Sequence, residues 1–95
     1  MAIYMIAKVE ITEHGGFMDY QDRAKESIEA AGGRMLIRNG VPETVEGESD
    51  GRKIVMLEFP SRNMAEAWWS SPEYREIAAM REGKANVEAI IVEGV

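Results

Sequence analysis

Apolar and polar residues alternate along four segments of the chain with a period of two, which is typical of β-strands. These segments span residues 2–11, 34–38, 53–59 and 87–93. Between the first two, apolar residues recur at spacings of three and four, namely Phe17, Tyr20, Ala24, Ile28 and Ala31. That spacing predicts an amphipathic helix, which the Gly32-Gly33 pair ends, because glycine enters the left-handed conformation at little steric cost.

A second helical region follows the third strand and is predicted to be interrupted. Ser61 is a good N-cap for a helix that carries Met64 and Trp68. Ser71 precedes Pro72, and proline at the first helical position loses no hydrogen bond. The sequence therefore predicts two consecutive short helices in place of one long helix.

The resulting order, βαββαβ, predicts an α+β ferredoxin-like sandwich in one domain over residues 1–95. Its four strands would form an antiparallel sheet with the helices on one face. Alternation assigns several apolar residues to the other face: Ile6, Leu36, Ile54, Met56, Ile90 and Val92. A patch of this size is unusual on a monomer, and no further element is left to cover it. A second copy of the chain is the simplest cover, so we predict a homodimer.

Composition narrows the function classes. The formal net charge is −6 and the eleven Lys and Arg residues are scattered, which disfavours nucleic acid and anionic membranes as partners. The absence of cysteine removes disulfides and Cys-type metal sites. The apolar run at residues 2–7 is shorter than a signal peptide's apolar region or a membrane span. We therefore expect a cytoplasmic protein that does not associate with membranes.

Three charged residues are the first candidates for a site. Arg34, Arg38 and Glu58 lie on neighbouring strands and, on the predicted register, share the face that the dimer would cover. Arg38 could clamp a carboxylate or phosphate with its planar fork, and Glu58 could act as a base if burial raised its pKa. The alternative is structural, with Arg38 and Glu58 paired to each other or across the dimer.

Other candidates carry weaker signals. His14 is the only histidine and could be a base, but one histidine without cysteine disfavours a transition-metal site, so we predict no metal. Trp68, with Trp69 and Tyr74, could line an aromatic pocket or simply belong to the core. Tyr4 and Asn86 lie near sheet ends and could reach a ligand. The sequence carries no dinucleotide or phosphate-loop motif, and we predict no cofactor.

Several segments together resemble the domain-of-unknown-function family 1330. The segments that carry the likeness are IYMIAKVEI, GGRMLIRNG, VEG at 45–47, IVMLEFPS, WWSSPEYREIAAMREG and IIVEG. The likeness covers essentially the whole chain, although Asn39-Gly40 stands where family members tend to have Gly-Gly. The resemblance implies the dimeric α/β-barrel superfamily, whose members include small monooxygenases, muconolactone isomerases and haem-degrading enzymes. It implies no established activity.

Two functional hypotheses follow. In the first, the protein binds a small organic molecule in the cleft between the sheet and the helices, as a cofactor-free isomerase or monooxygenase would. In the second, it is a non-enzymatic dimeric module whose barrel is filled by its own side chains.

Overall fold

The computed structural model describes residues 2–95. The elements follow one another as β1 (Ile3–Ile11), α1 (Phe17–Ala30), β2 (Arg34–Gly40), β3 (Lys53–Phe59), α2 (Arg62–Ser70), α3 (Pro72–Ala78), one 3₁₀ turn (Ala79–Arg81) and β4 (Ala85–Glu93). The four strands form one antiparallel sheet in the order β2-β3-β1-β4. The predicted α+β ferredoxin-like fold is confirmed.

Local sequence explains where the helices begin and end. The Ser61 hydroxyl accepts a hydrogen bond from the Met64 N–H at the start of α2, and the Ser71 hydroxyl accepts one from the Tyr74 N–H at the start of α3. At the end of α1, the N–H groups of Gly32 and Gly33 donate to carbonyls of the last helical turn, and Gly32 has a φ of 89°. This is the double hydrogen bond of a Schellman motif.

The core lies between one face of the sheet and the helices. Its buried members come from β1, β3 and all three helices, and they are Ile3, Met5, Val9, Phe17, Tyr20, Ala24, Ile28, Leu57, Phe59, Ala65, Trp68, Tyr74, Ile77 and Ala78. The predicted alternation of β1 and β3 is therefore confirmed, because their odd-numbered residues face the helices.

The other sheet face has no covering element among the described residues. We call it the open face; its apolar members, from the strand register, are Ile6, Ile37, Ile54, Met56, Ile90 and Val92. Ile90 is 60% exposed. Ion pairs lie towards one end of this face, where Lys8 binds Asp50 and Arg52 binds Glu88.

Strand β2 departs from the predicted register. Met35 pairs with Leu57, but Ile37 pairs with Met56, so Leu36 lies in a bulge. The alternation that assigns Leu36 to the second face of the sheet also implies that Ile37 faces the helices. This prediction is wrong, because the bulge turns Ile37 to the open face. An extra residue on one strand moves the side chains that follow it to the opposite face. A second register shift lies between Ile37 and Gly40, where Asn39 has a φ of 54°.

Candidate functional site

A small cavity of about 50 Å³ lies between the sheet and the helices. Four polar residues line it, namely Tyr20, Gln21, Tyr74 and Arg81. The other lining residues are apolar: Met5, Ala7, Val9, Phe17, Ala24, Ile28, Met35, Val55, Leu57, Trp68, Trp69, Val87 and Ala89. The volume corresponds to a few water molecules, since one water needs about 10–15 Å³. Ala89 is exposed, and Trp69 and Val87 are half-buried. The cavity is therefore least enclosed near β4 and Trp69.

Two tyrosines and an arginine form the polar end of this cavity. The hydroxyl oxygens of Tyr20 and Tyr74 lie 2.8 Å apart in a hydrogen bond that either can donate. The guanidinium carbon of Arg81 lies 5.9 Å from the centre of the Tyr20 ring. Within residues 2–95, the Nε atom of Arg81 is buried and has no hydrogen-bond partner. A buried charged donor without a partner is rare in folded proteins, which singles out Arg81.

The ionisation of Tyr20 is suppressed by its surroundings. Burial, followed by the proximity of Tyr74, raises the pKa of Tyr20 well above its usual value of about 10. Tyr20 is therefore neutral near pH 7 and can donate or accept a hydrogen bond. It is a poor base.

Three helical segments bring these polar groups together. Tyr20 lies on the apolar stripe of α1, and Ser71 holds the first turn of α3, where Tyr74 points inward. The 3₁₀ turn after α3 ends at Arg81. The two tyrosines that meet here are 54 residues apart in the chain.

Aromatic rings form the wall beside the tyrosine pair. The ring centroids of Trp68 and Tyr74 are 4.1 Å apart, and those of Trp69 and Tyr74 are 5.5 Å apart. The indole N–H of Trp68 donates to the Ser27 hydroxyl at 3.0 Å, which fixes this ring against α1. The guanidinium carbon of Arg75 lies 4.6 Å from the centroid of the Trp69 ring, within the range of a cation–π contact.

Gln21 connects the cavity wall to the bulged strand β2. Its side chain is only 3% exposed, and its amide exchanges two hydrogen bonds with the amide of Asn39, at 2.8 and 2.7 Å. Asn39 has a φ of 54°, in the left-handed region that asparagine tolerates better than most residues. The pair satisfies a buried polar side chain and anchors the end of β2 to α1.

The predicted trio of charged residues is divided in the structure. Arg34 and Glu58 lie on the open face, where Arg34 Nε donates to Glu58 Oε1 at 2.6 Å. Arg38 instead donates to the Asp22 carboxylate on α1 at 2.8 Å. The prediction that Arg38 shares a face with Glu58 was wrong, because the bulge at Leu36 turns Arg38 to the helix side of β2.

The remaining predicted residues are also dispersed. Tyr4 lies opposite Glu58 on the open face. Asn86 donates to the Glu10 carboxylate at 2.8 Å at the surface, and His14 lies exposed in the loop before α1. Of the candidate residues named from the sequence, the aromatic residues Trp68, Trp69 and Tyr74 line the cavity. No group of three potential metal-ligating His, Cys, Asp or Glu side chains occurs in residues 2–95.

Sequence reasoning missed Tyr20, Gln21 and Arg81 as cavity residues. Arg81 carried a usable signal, because it continues the face of α3 that bears Tyr74, Ile77 and Ala78, and a charge on a buried stripe is unusual. Gln21 carried the same kind of signal, because it lies four residues after Phe17 and three before Ala24, on the buried stripe of α1. No helix among the described residues is both long and apolar enough to cross a membrane.

Comparison with known proteins gives one family and several structures. The family model described as "Domain of unknown function (DUF1330)" matches residues 2–95. No curated protein matches the chain at a significant level.

The similar solved structures share its fold at low sequence identity. A protein of unknown function from Rhodopseudomonas palustris has a TM-score of 0.77 at 17% identity, covering 99% of this chain and 82% of its own. SnoaB, a cofactor-independent oxygenase from Streptomyces nogalater, has a TM-score of 0.76 at 10% identity, covering 99% and 93%. A dimeric ferredoxin-like protein of unknown function from Jannaschia sp. CCS1 has a TM-score of 0.65 at 15% identity, covering 99% and 100%.

Proposed function

The chain belongs to the DUF1330 family, and because that family has no assigned function, we propose from the cavity itself that the protein binds a small organic molecule there. The main support is that the cavity combines an aromatic and aliphatic wall with one polar end. At this polar end the buried Nε of Arg81 has no hydrogen-bond partner within residues 2–95. Binding sites for small molecules typically join an apolar wall to a few polar groups that orient the ligand.

The site described by this proposal differs from the one expected from sequence. Glu58 and Arg34 satisfy each other on the open face, and Arg38 is held by Asp22. The polar groups beside the apolar wall are Tyr20, Tyr74 and Arg81, so we assign ligand contact to these three. The closed cavity is small, and a ring-sized ligand requires Trp69 to move outward at the side where the wall is thinnest.

The proposal extends to chemistry without a cofactor, either isomerisation or monooxygenation. In a cofactor-free monooxygenation the substrate itself supplies the electrons, so that a CH₂ group next to an ionised ring reacts with O₂ to give a carbonyl and water. The cavity suits this chemistry because it is lined by apolar groups that exclude water and by donors that can stabilise a developing oxyanion. One structural neighbour, SnoaB, is a cofactor-independent oxygenase, which adds support at the level of the fold.

A thermal-shift screen of small acidic and aromatic metabolites tests the binding proposal. We expect at least one chemical class to raise the melting temperature of the wild-type protein, since a ligand that binds only the folded state stabilises it. Ala89→Leu, at the thin side of the cavity wall, should abolish this shift without lowering the melting temperature of the free protein, because Ala89 is exposed.

A matched substitution controls for the added apolar bulk. Ala30→Leu introduces the same side chain at an exposed position of α1 outside the cavity, and it should leave the ligand-induced shift intact. Failure of every compound to stabilise the wild-type protein would contradict small-molecule binding and favour the non-enzymatic module.

We also propose that the protein is a homodimer formed through the open face. The apolar centre of this face includes Ile6, Met56 and Ile90, while the ion pairs of Lys8 with Asp50 and of Arg34 with Glu58 lie nearer its ends. An apolar centre with a polar rim is the usual composition of a protein interface. A dimeric structural neighbour of the same fold is consistent with this assembly.

A further inference from the structure

We propose that the cavity selects its ligand as an anion, a small planar molecule whose phenolate, enolate or carboxylate oxygen binds at Arg81. This inference rests on the proposed small-molecule binding and specifies its substrate class. It follows from the kinds of polar groups that the cavity contains and from those that it lacks.

The first argument is the uncompensated charge of Arg81. Arginine stays protonated at any physiological pH, and Arg81 takes part in none of the ion pairs formed within residues 2–95. No Asp or Glu lines the cavity. A buried charged donor that lacks a partner destabilises a fold. A ligand oxyanion next to Nε would supply the missing acceptor and the missing negative charge together.

The second argument is that the polar end offers a cation and a hydroxyl donor but no anionic group and no unused amide oxygen. Tyr20 and Tyr74 share one hydrogen bond, which leaves one hydroxyl proton available to a ligand. The amide oxygen of Gln21 already accepts from Asn39 at 2.7 Å. A cation would find no negative charge to neutralise it here, whereas an oxyanion could accept hydrogen bonds from both Arg81 and a tyrosine.

The third argument is the absence of a base. Tyr20, Tyr74 and Arg81 are the titratable groups that line the cavity, and none of them is a carboxylate or a histidine. A substrate that must lose a proton for isomerisation or oxygenation therefore has to be acidic enough to ionise by itself. Phenols, enols and carboxylic acids with electron-withdrawing neighbours meet this requirement.

The mouth of the cavity supports the same ligand class. Arg75 lies over the Trp69 and Tyr74 rings, 4.6 and 4.9 Å from their centroids. It places a second positive charge beside the thin wall of a chain whose net charge is −6. A local cation at the entrance raises the encounter rate of anions that the rest of the surface would repel. Inside the entrance, the flat rings of Trp68 and Trp69 favour a planar ligand.

A pair of probes that differ only in ionisation tests the proposal. 4-Nitrophenol ionises near neutral pH and changes its visible absorption when it does, whereas 4-nitroanisole has the same ring with a methylated oxygen. We expect the wild-type protein to bind 4-nitrophenol about tenfold or more tightly than 4-nitroanisole by calorimetry. We also expect the absorption to show that the bound probe ionises about one pH unit or more below the free probe.

Variants identify the residue responsible. Arg81→Met should remove both the preference for 4-nitrophenol and the shift in its ionisation, while Arg81→Lys, which keeps the charge, should retain part of each. Arg62→Met is the matched control, because Arg62 is half-exposed and pairs with Glu66 on α2, away from the cavity lining. If Arg81→Met fails to fold, Arg81→Lys still tests the residue, and the two-probe comparison and optical titration of the wild-type protein still decide whether the cavity selects an anion.

The outcomes separate this inference from the proposed function. Equal affinity for the two probes, or binding of the neutral form of 4-nitrophenol, would overturn anion selection while leaving small-molecule binding in place. If neither probe binds but other metabolites stabilise the protein, anion selection at Arg81 again fails alone. If no compound of either set binds, both proposals fail.

Discussion

At the scale of single residues, the most informative groups are polar side chains buried among aromatic rings. Tyr20 is one of them, since it is buried in the core and bonds to Tyr74 at 2.8 Å. The raised pKa of Tyr20 has burial as its first cause and the neighbouring tyrosine as its second. The folded state therefore favours the neutral phenol more strongly than the unfolded state does.

This difference predicts how stability depends on alkaline pH. A group whose pKa is raised by folding contributes its stabilisation fully below the unfolded pKa, here about 10, and loses it as the pH rises towards the folded pKa. The wild-type free energy of unfolding should therefore fall above about pH 10. Tyr20→Phe should be less stable near pH 7, by about 1 kcal/mol, because it loses a hydrogen bond. Above pH 10 its free energy of unfolding should fall less steeply than that of the wild type.

Urea denaturation from neutral to alkaline pH measures both effects. Ile28→Val is the control, because Ile28 is buried in the same core and carries no titratable group, so this variant should lower the free energy of unfolding without changing its slope above pH 10. Parallel curves for the wild type and Tyr20→Phe above pH 10 would contradict the suppressed ionisation of Tyr20.

At the scale of elements, the bulged strand β2 sets which side chains face the helices. The bulge at Leu36 sends Ile37 to the open face and allows Arg38 to reach Asp22. A second register shift lies between Ile37 and Gly40, and within it Asn39 meets Gln21 in a reciprocal amide pair. Because Gln21 is buried beside the cavity, this pair both satisfies a polar group and holds part of the cavity wall.

A double-mutant cycle tests whether Gln21 and Asn39 act as one unit. We expect Gln21→Leu and Asn39→Gly each to lower the free energy of unfolding by about 1–2 kcal/mol, since each removes both hydrogen bonds of the reciprocal pair from the other amide. Glycine is used at position 39 because it tolerates the φ of 54°. The double variant should lose less unfolding free energy than the sum of the two single losses, with a coupling energy of about 1 kcal/mol.

A second cycle serves as the control for this prediction. Asn86 bonds to Glu10 on β1 and lies at the surface, so Gln21→Leu and Asn86→Ala should be additive. Additivity between Gln21 and Asn39 as well would show that the amide pair does not stabilise β2.

At the scale of the whole molecule, the sheet has one face packed and one face open. The helix-facing side supplies the core, whereas the open face presents isoleucine, methionine and valine side chains to solvent in the single chain. Apolar patches of this kind mark interaction sites. Association of two copies through this face covers the apolar residues of both copies and requires no other partner.

Ile90→Glu should convert the proposed dimer to a monomer. Ile90 is 60% exposed in the single chain, so glutamate costs the monomer little but places two like charges in the apolar centre of the interface. Light scattering at micromolar concentration should give twice the chain mass for the wild type and once that mass for the variant. Val45→Glu, at a residue 95% exposed between β2 and β3, should remain dimeric. A monomeric wild type at that concentration would contradict dimerisation through the open face.

The sequence predicted the elements well because their signals are local. The Ser61 and Ser71 caps, the break at Pro72 and the period-two alternation each depend on residues within a few positions of one another. The apolar character of the open face follows from the same alternation, to which the bulge adds Ile37. The sequence by itself therefore determined the order of elements, the fold class and the apolar second face of the sheet.

The tertiary structure alone decided where the candidate site lies. Two register shifts leave no mark in the alternation of a seven-residue strand, yet the first separates Arg38 from Glu58, and Asn39, which bonds to Gln21, lies within the second. The cavity needs Tyr20 and Arg81, which lie far apart in the chain and meet only when the helices pack on the sheet. Local patterns encode elements, whereas a site depends on distant side chains converging, and that convergence is set by packing and register.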